Sequence, residues 1–170
     1  MSQLAQQHQT DEVDKFRKFQ RLVEGTNISR DTLLATDYLN HFNEIVMLLE
    51  MVPDVPELLD EAKEWRPMGY ERHFSQSSFP DKELAIAAYA HVPSDYRVEL
   101  ENLIEQMDRL VEEAISSLEA TSGDSDYSGM QRVCTTACES LRDLIARVGA
   151  VIRGPSQAVE QSEVDELFDF

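Results

Sequence analysis

The segment Ser29–Val52 constrains the fold more than any other part of the chain, because its apolar residues recur every three or four positions. The stripe and the residues that widen it are Leu34, Tyr38, Phe42, Ile45 and Leu49, with Ala35, Leu39 and Val46 beside them. A face this broad predicts a helix that is buried against several neighbours. Ser29 is a suitable N-cap for that helix, and Pro53 is expected to end it.

The remaining apolar patterns are also helical, and no segment shows the alternation of a strand. Two long helices are predicted at Asp95–Ala120 and Tyr127–Arg153, and the short turn between them favours an antiparallel hairpin. Shorter helices are predicted at Thr10–Glu24, Pro56–Trp65 and Asp81–Ala90, and residues 66–80 are predicted to be irregular. The expected fold class is therefore all-α, a helical bundle with a long C-terminal hairpin and shorter N-terminal helices.

Composition shifts divide the chain into three parts. Residues 1–9 are polar and rich in glutamine, and we expect them to be disordered. Residues 10–154 form the predicted helical bundle domain, whose last helix ends at Gly154-Pro155. Residues 155–170 are predicted to be a linker followed by an acidic, amphipathic tail.

The chain is strongly acidic, with 15 Lys and Arg against 33 Asp and Glu and a formal net charge of −18. Phosphates would be repelled and no basic stripe is apparent, so neither nucleic acid nor an anionic membrane is an expected partner. A protein with a basic patch is the natural electrostatic complement. The N-terminus does not resemble a secretory signal, and no apolar run approaches a membrane span. We expect a cytoplasmic protein with reduced thiols.

Motifs of the common cofactor and nucleophile sites are absent from the sequence. Neither Gly-rich phosphate-binding pattern occurs, and there is no C-x-x-C, H-E-x-x-H or G-x-S-x-G. We therefore expect no cofactor and favour a non-enzymatic protein.

A polar strip beside the apolar stripe is a candidate metal site. Asp37, His41 and Glu44 are spaced so that they share one side of a helix. Helical bundles bind metals with such residues, although the di-iron pattern Glu-x-x-His occurs here only once and in reverse order. The alternative interpretation is that Asp37 pairs with His41 at the edge of the core.

Two other clusters have structural interpretations beside the functional ones. Cys134 and Cys138 lie four residues apart on an apolar helical face, where cysteines commonly act as small hydrophobic residues. Trp65 and the aromatic segment Tyr70–Phe79, which contains His73, are predicted either to wall a ligand pocket or to form a satellite core.

The last ten residues contain the sharpest functional indication. Ser162 can cap a short helix in which Val164, Leu167 and Phe168 form a small apolar face, with Phe170 beyond it and acidic residues around it. Such a face is expected to dock, either onto the bundle of its own chain or into a groove on a partner, as amphipathic helices do.

The segment SEVDELFDF resembles the peptides with which flagellar switch proteins and chemotaxis phosphatases bind a phosphorylated response regulator. The matching positions are Gln161, Ser162, Val164, Asp165, Leu167 and Phe168. The resemblance is confined to the last ten residues of the chain, and it implies a response regulator as the partner and a bacterial signalling role. The phosphatases are all-α proteins with a long helical hairpin and a C-terminal docking peptide, which fits the predicted layout.

That phosphatase family is expected to present an acid and an amide one helical turn apart, which together position a water molecule. The spacing Asp-x-x-x-Gln is absent, but Glu99 and Asn102 provide the related spacing Glu-x-x-Asn. The favoured prediction is a non-enzymatic regulatory or accessory protein that binds a partner protein. A response-regulator phosphatase and a metal-binding bundle are the alternatives, and a homodimer formed through the heptads of the hairpin stays open.

Overall fold

A computed structural model describes residues 2–121 and 127–168, with side chains described for 2–121 and 127–155. In this part of the chain there are seven α-helices and no strand, apart from an isolated bridge between Ile28 and Ala35. The all-α fold class is therefore confirmed. The helices are α1 Ser2–Leu22, α2 Asn40–Met51, α3 Leu58–Glu64, α4 Tyr70–Gln76, α5 Lys82–Tyr89, α6 Ser94–Thr121 and α7 Tyr127–Phe168.

The central segment is helical only in its second half, so the prediction of one helix from Ser29 is wrong. Ser29 N–H donates to the Leu34 carbonyl at 2.8 Å, and Leu33 N–H donates to the Ser29 carbonyl at 2.7 Å. These bonds close a tight turn in which Leu33 has a φ of 62°. The Thr32 hydroxyl also accepts from the Leu34 N–H at 3.2 Å, which is the local bonding by which Ser and Thr compete with a helix.

The apolar stripe is nevertheless the core, as its spacing predicts. A short 3-10 turn, Thr36–Leu39, leads from the loop into α2. All five residues of the stripe are fully buried, and the three flanking residues are at most 7% exposed. Burial was therefore predicted correctly even where the backbone conformation was not.

Three further boundaries differ from the sequence prediction. Helix α1 begins at Ser2, so residues 2–9 continue the first helix; this stretch contains good helix formers and no Gly or Pro. Residues 66–80 contain α4, and Tyr70 and Phe74 in it are buried. Helix α7 includes Gly154, whose backbone is not helical, and continues to Phe168. The predicted end of the last helix at Gly154-Pro155 therefore coincides with a break inside α7.

The chain divides into two compact units, each made of segments that are distant in sequence. The first contains Met1–Tyr38, Tyr70–Glu99 and Gly149–Phe170, and the second contains Leu39–Gly69 and Leu100–Val148. The core of the first unit is formed by Leu33, Leu34, Tyr38, Tyr70, Phe74, Ala85, Ala88 and Ile152.

The second unit contains the C-terminal hairpin. Helix α6 buries Leu100, Leu103, Met107, Val111, Ala114 and Leu118, and α7 buries Met130, Cys134, Ala137, Leu141, Leu144 and Val148. Leu110 and Ser117 near the end of α6 line a small cleft together with Val133 and Thr136 near the start of α7. This proximity fits the predicted hairpin. Within the described residues, no helix is long and apolar enough to cross a membrane.

Candidate functional site

The junction that precedes the tail is a defined structure in the first unit. Gly154 has φ 75° and ψ 177°, a conformation that is essentially restricted to glycine. The buried Thr32 hydroxyl donates to the carbonyl of Ile152, and the Ser29 hydroxyl donates to the carbonyl of Arg153 at 3.3 Å. The loop thus supplies hydrogen bonds to carbonyls at a helix end, which the helix itself leaves unpaired.

The tail begins at this junction. The backbone of α7 is helical as far as Phe168, but the side chains of Gln161, Ser162, Val164, Asp165, Leu167 and Phe168 lie outside the described residues. Phe170 lies outside the described backbone as well. The docking role predicted for these residues therefore stays a prediction.

Glu99 and Asn102, the predicted acid and amide, are both exposed on α6. The backbone carbonyl of Asn102 accepts from the Gln106 side chain at 3.4 Å. The two side chains are accessible to a partner, and their use in phosphate hydrolysis stays a prediction.

The three residues of the predicted metal site have different environments. Asp37 is half-buried and accepts a short hydrogen bond from the Asn27 side chain, whereas Glu44 is exposed. His41 is buried, and its ring stacks on the Trp65 ring at 4.6 Å between centroids. Among residues 2–121 and 127–155, the structure brings no three His, Cys, Asp or Glu side chains into a group that could hold a metal ion.

The aromatic residues separate into two clusters. In the second unit the Trp65 indole N–H donates to the His41 carbonyl at 3.0 Å, and its ring also contacts Phe42. In the first unit the Tyr70 hydroxyl accepts from the Ala35 N–H at 2.8 Å, and burial raises the pKa of Tyr70.

The ring contacts of the first-unit cluster extend in several directions from Tyr70. They join the rings of Tyr38, Tyr70, His73, Phe74, Phe79 and Tyr89. Burial also lowers the pKa of His73. In each unit the rings pack on one another as a satellite core does.

Both cysteines are buried in the second unit, as the apolar interpretation predicts. The Cys138 thiol lies 3.7 Å from the Val46 carbonyl. Burial raises the pKa of each thiol to about 11, so neither is a ready nucleophile near neutral pH.

One carboxylate of α6 is partly withdrawn from solvent. Asp108 is half-buried, and its Oδ1 has no hydrogen-bond partner among the described residues. Burial, together with the smaller effect of the Glu112 and Glu105 charges, raises its pKa to about 6. The sequence could indicate repulsion between Asp108 and the nearby Glu105 and Glu112. It could not indicate the burial of Asp108, because that depends on tertiary packing.

Sequence reasoning missed a basic surface on α1. Lys15, Arg17, Lys18 and Arg21 lie within seven residues and are all exposed, although the whole chain is acidic. The ring of Phe19 stacks on His91 at 4.8 Å between centroids. Burial lowers the pKa of His91, and the positive charges of Lys15, Arg97 and Lys18 lower it as well.

A cleft of about 1170 Å³ adjoins this surface in the first unit. One wall is the α1 segment from Gln6 to Arg17, and the other is formed by residues 90–98. The apolar residues of the lining include Val13, Phe16, Val92, Pro93 and Val98. A count of charged residues in a moving window would have found the basic segment, but the cleft depends on the tertiary structure.

Comparison with protein families, with curated proteins and with solved structures found no match for this chain.

Proposed function

We propose that the chain is a cytoplasmic regulatory or accessory protein that binds a partner protein through the tail Gln161–Phe170. The carrying observation is the sequence of the tail, in which Val164, Leu167 and Phe168 form an apolar face among four acidic residues, with Glu160 just before them. A helix that presents one such face binds a hydrophobic groove, and its acids select a groove with a basic rim.

The junction at Gly154 supports this proposal. Because Gly154 is not helical and Ser29 and Thr32 bond the carbonyls before it, the fold fixes the position of the break in α7 that precedes the tail. The resemblance of the tail to response-regulator-docking peptides makes a bacterial response regulator the proposed partner.

The test compares the full chain with a chain that ends at Val159. The probe is a chemotaxis-type response regulator activated with beryllofluoride, and fluorescence anisotropy measures its binding. We expect the truncation to abolish binding while the helical circular-dichroism signal changes only by the loss of the tail. Leu167→Ala with Phe168→Ala is expected to weaken binding at least about a hundredfold, since two buried side chains are removed.

A matched control replaces apolar residues that are exposed elsewhere. Met47 is 62% exposed and Met51 is 50% exposed, so Met47→Ala with Met51→Ala removes similar surface without touching the tail. Equal binding by the truncated chain, or an equal loss in the Met47 and Met51 control, would refute the proposal.

A response-regulator phosphatase is the second candidate, because Glu99 and Asn102 are both accessible on α6. The lifetime of the acyl phosphate on the regulator would be shortened by the full chain and restored by Asn102→Ala. The same lifetime with and without Asn102 would exclude this activity and leave tail binding unaffected.

A further inference from the structure

We infer that the cleft between α1 and residues 90–98 is a docking groove for an acidic amphipathic helix, and that its occupant is the tail of the same chain. The inference rests on the proposed function, because it names a second binding site for the same tail. It makes the cleft an intramolecular competitor of the partner.

Helix α1 is incompletely packed in the described residues. It is 21 residues long and has no buried residue, and Val13, which lines the cleft, is 49% exposed. In proteins, most of the stability of a helix comes from the packing of an apolar face. Val98, on the opposite wall of the cleft, is also 56% exposed. Apolar residues therefore face an open groove from both sides.

The exposed surface of α1 beside the cleft is basic, whereas the tail is acidic. The segment from Lys15 to Arg21 carries four of the 15 basic residues of the chain and no acid. Arg17 and Arg97 line the cleft beside the acids Glu12 and Asp14, and the other three bases of the segment lie on α1 outside the lining. Arg97 is oriented by the carbonyls of Ala90 and Val92, each at 3.3 Å. The tail from Glu160 to Phe170 has five acids and no base. Opposite charges of this kind set the orientation and partner preference of a docked helix.

The tail starts close enough to α1 to reach the cleft. The Gln20 side chain of α1 donates to the carbonyl of Arg30 at 3.0 Å, and the neighbouring Ser29 bonds the carbonyl of Arg153. These two hydrogen bonds connect α1 to the end of α7 from which the tail starts. From Gln20 back to Val13 is about 10 Å along a helix, and from Pro155 to Val164 is about 14 Å. A tail helix that runs alongside α1 would bring its apolar face level with the cleft.

The volume of the cleft is large enough for the side chains of a docked helix. The cleft is somewhat larger than the roughly 300–1000 Å³ of a typical small-molecule site. A groove that has a helix as one of its walls suits a second helix that inserts a few anchors. Val164, Leu167 and Phe168 are the anchors that the tail offers.

The test is photo-crosslinking of the full chain, with p-benzoylphenylalanine in place of Phe170. We expect intramolecular crosslinks to the α1 segment 6–17 or to residues 90–98, located by mass spectrometry. Val13→Glu puts an acid in the groove and is expected to lower the crosslink yield about tenfold. Leu4→Glu adds the same charge to an exposed position of α1 that does not line the cleft, and it should leave the yield unchanged.

Hydrogen exchange provides a second measurement. Deletion of residues 160–170 should speed exchange of the α1 amides around Val13, and raising the salt concentration should weaken the effect. Crosslinks only to other parts of the chain, equal effects of Leu4→Glu and Val13→Glu, or unchanged α1 exchange would overturn the inference. A mixture of ¹⁴N and ¹⁵N chains distinguishes a second copy, and mixed-isotope crosslinks would overturn docking within one chain.

Failure of this inference and failure of the proposed function give different results. If the tail does not crosslink to the cleft but truncation abolishes regulator binding, only the groove is wrong. If the tail both docks in the cleft and binds the regulator, Val13→Glu should strengthen regulator binding, because the cleft no longer competes for the tail.

Discussion

Gly154→Ala tests whether the positive φ and the close packing of Gly154 fix the junction before the tail. The φ of 75° with a ψ of 177° is costly for alanine, by roughly 1–3 kcal/mol. A Cβ at this position would also lie 2.8 Å from Asp31 Cβ, and forcing such an overlap costs roughly 1–3 kcal/mol. The lower entropy of the unfolded chain offsets about 0.4–1 kcal/mol. The expected loss of unfolding free energy is therefore about 3 kcal/mol.

Two other glycines separate the contributions. Gly25 also has a positive φ, 78°, but a Cβ there meets nothing within 4 Å, so Gly25→Ala should cost only about 1 kcal/mol. Gly69 has neither feature, and Gly69→Ala should be neutral or stabilising by a few tenths of a kcal/mol, roughly. From Gly69 to Gly25 to Gly154, the loss of unfolding free energy on replacement by alanine therefore includes first the cost of the backbone conformation and then also that of the steric overlap.

Substitutions of Asp31 measure how much of the loss in Gly154→Ala comes from the steric overlap. Asp31→Gly removes the Cβ that an alanine at position 154 would meet, so the double variant should recover the steric part of the loss. Asp31→Ala keeps that Cβ and should not. Coupling of this kind is expected for residues in contact and is measured by a double-mutant cycle.

The assay is urea unfolding followed by circular dichroism, with each midpoint compared at equal slope. For a slope of about 2 kcal/mol per molar urea, Gly154→Ala should lower the midpoint by about 1.5 M. If Gly154→Ala costs no more than Gly25→Ala, or if Asp31→Gly and Asp31→Ala act alike, the junction is not held as described.

Two further predictions concern the second unit. Asp108 has a raised pKa, so the folded state binds more protons than the unfolded state between about pH 4 and 6, and stability falls as the pH rises through that range. Asp108→Asn should therefore stabilise the protein by about 1 kcal/mol at pH 7.5, after allowance for partial exposure, and have little effect near pH 4; exposed Glu99→Gln is the control in the same urea assay. Cys134 and Cys138 should react with a thiol reagent at pH 8 only on unfolding, and rapid labelling of the native chain would contradict their burial.

Hydrophobic spacing predicted burial better than it predicted backbone conformation. The stripe from Leu34 to Leu49 is fully buried, and α6 begins and ends within a residue or so of its prediction. The turn at Ser29–Ala35 was missed because bonds to Ile152 and Arg153, which are more than a hundred residues away, fix it. A pattern of apolar residues contains no information about such distant partners.

The candidate sites divide in the same way. The apolar role of Cys134 and Cys138 could be predicted, because it follows from their position on a helical face. The half-burial of Asp108 could not, because it depends on what packs over one turn of α6. The tail could be recognised as an amphipathic segment, but its groove could not, because α1 and residues 90–98 are distant in sequence.

The net charge of −18 averages over a chain whose charges are unevenly placed. A tail with five acids belongs to a chain with a large excess of negative charge, but the basic segment of α1 is a local exception that would attract it. If the docked state is favoured about tenfold, a partner binds about tenfold more weakly than the free tail would allow. Neutralising charge on α1 and truncating the tail should then act in opposite directions on partner binding, which a tail with no site on its own chain cannot produce.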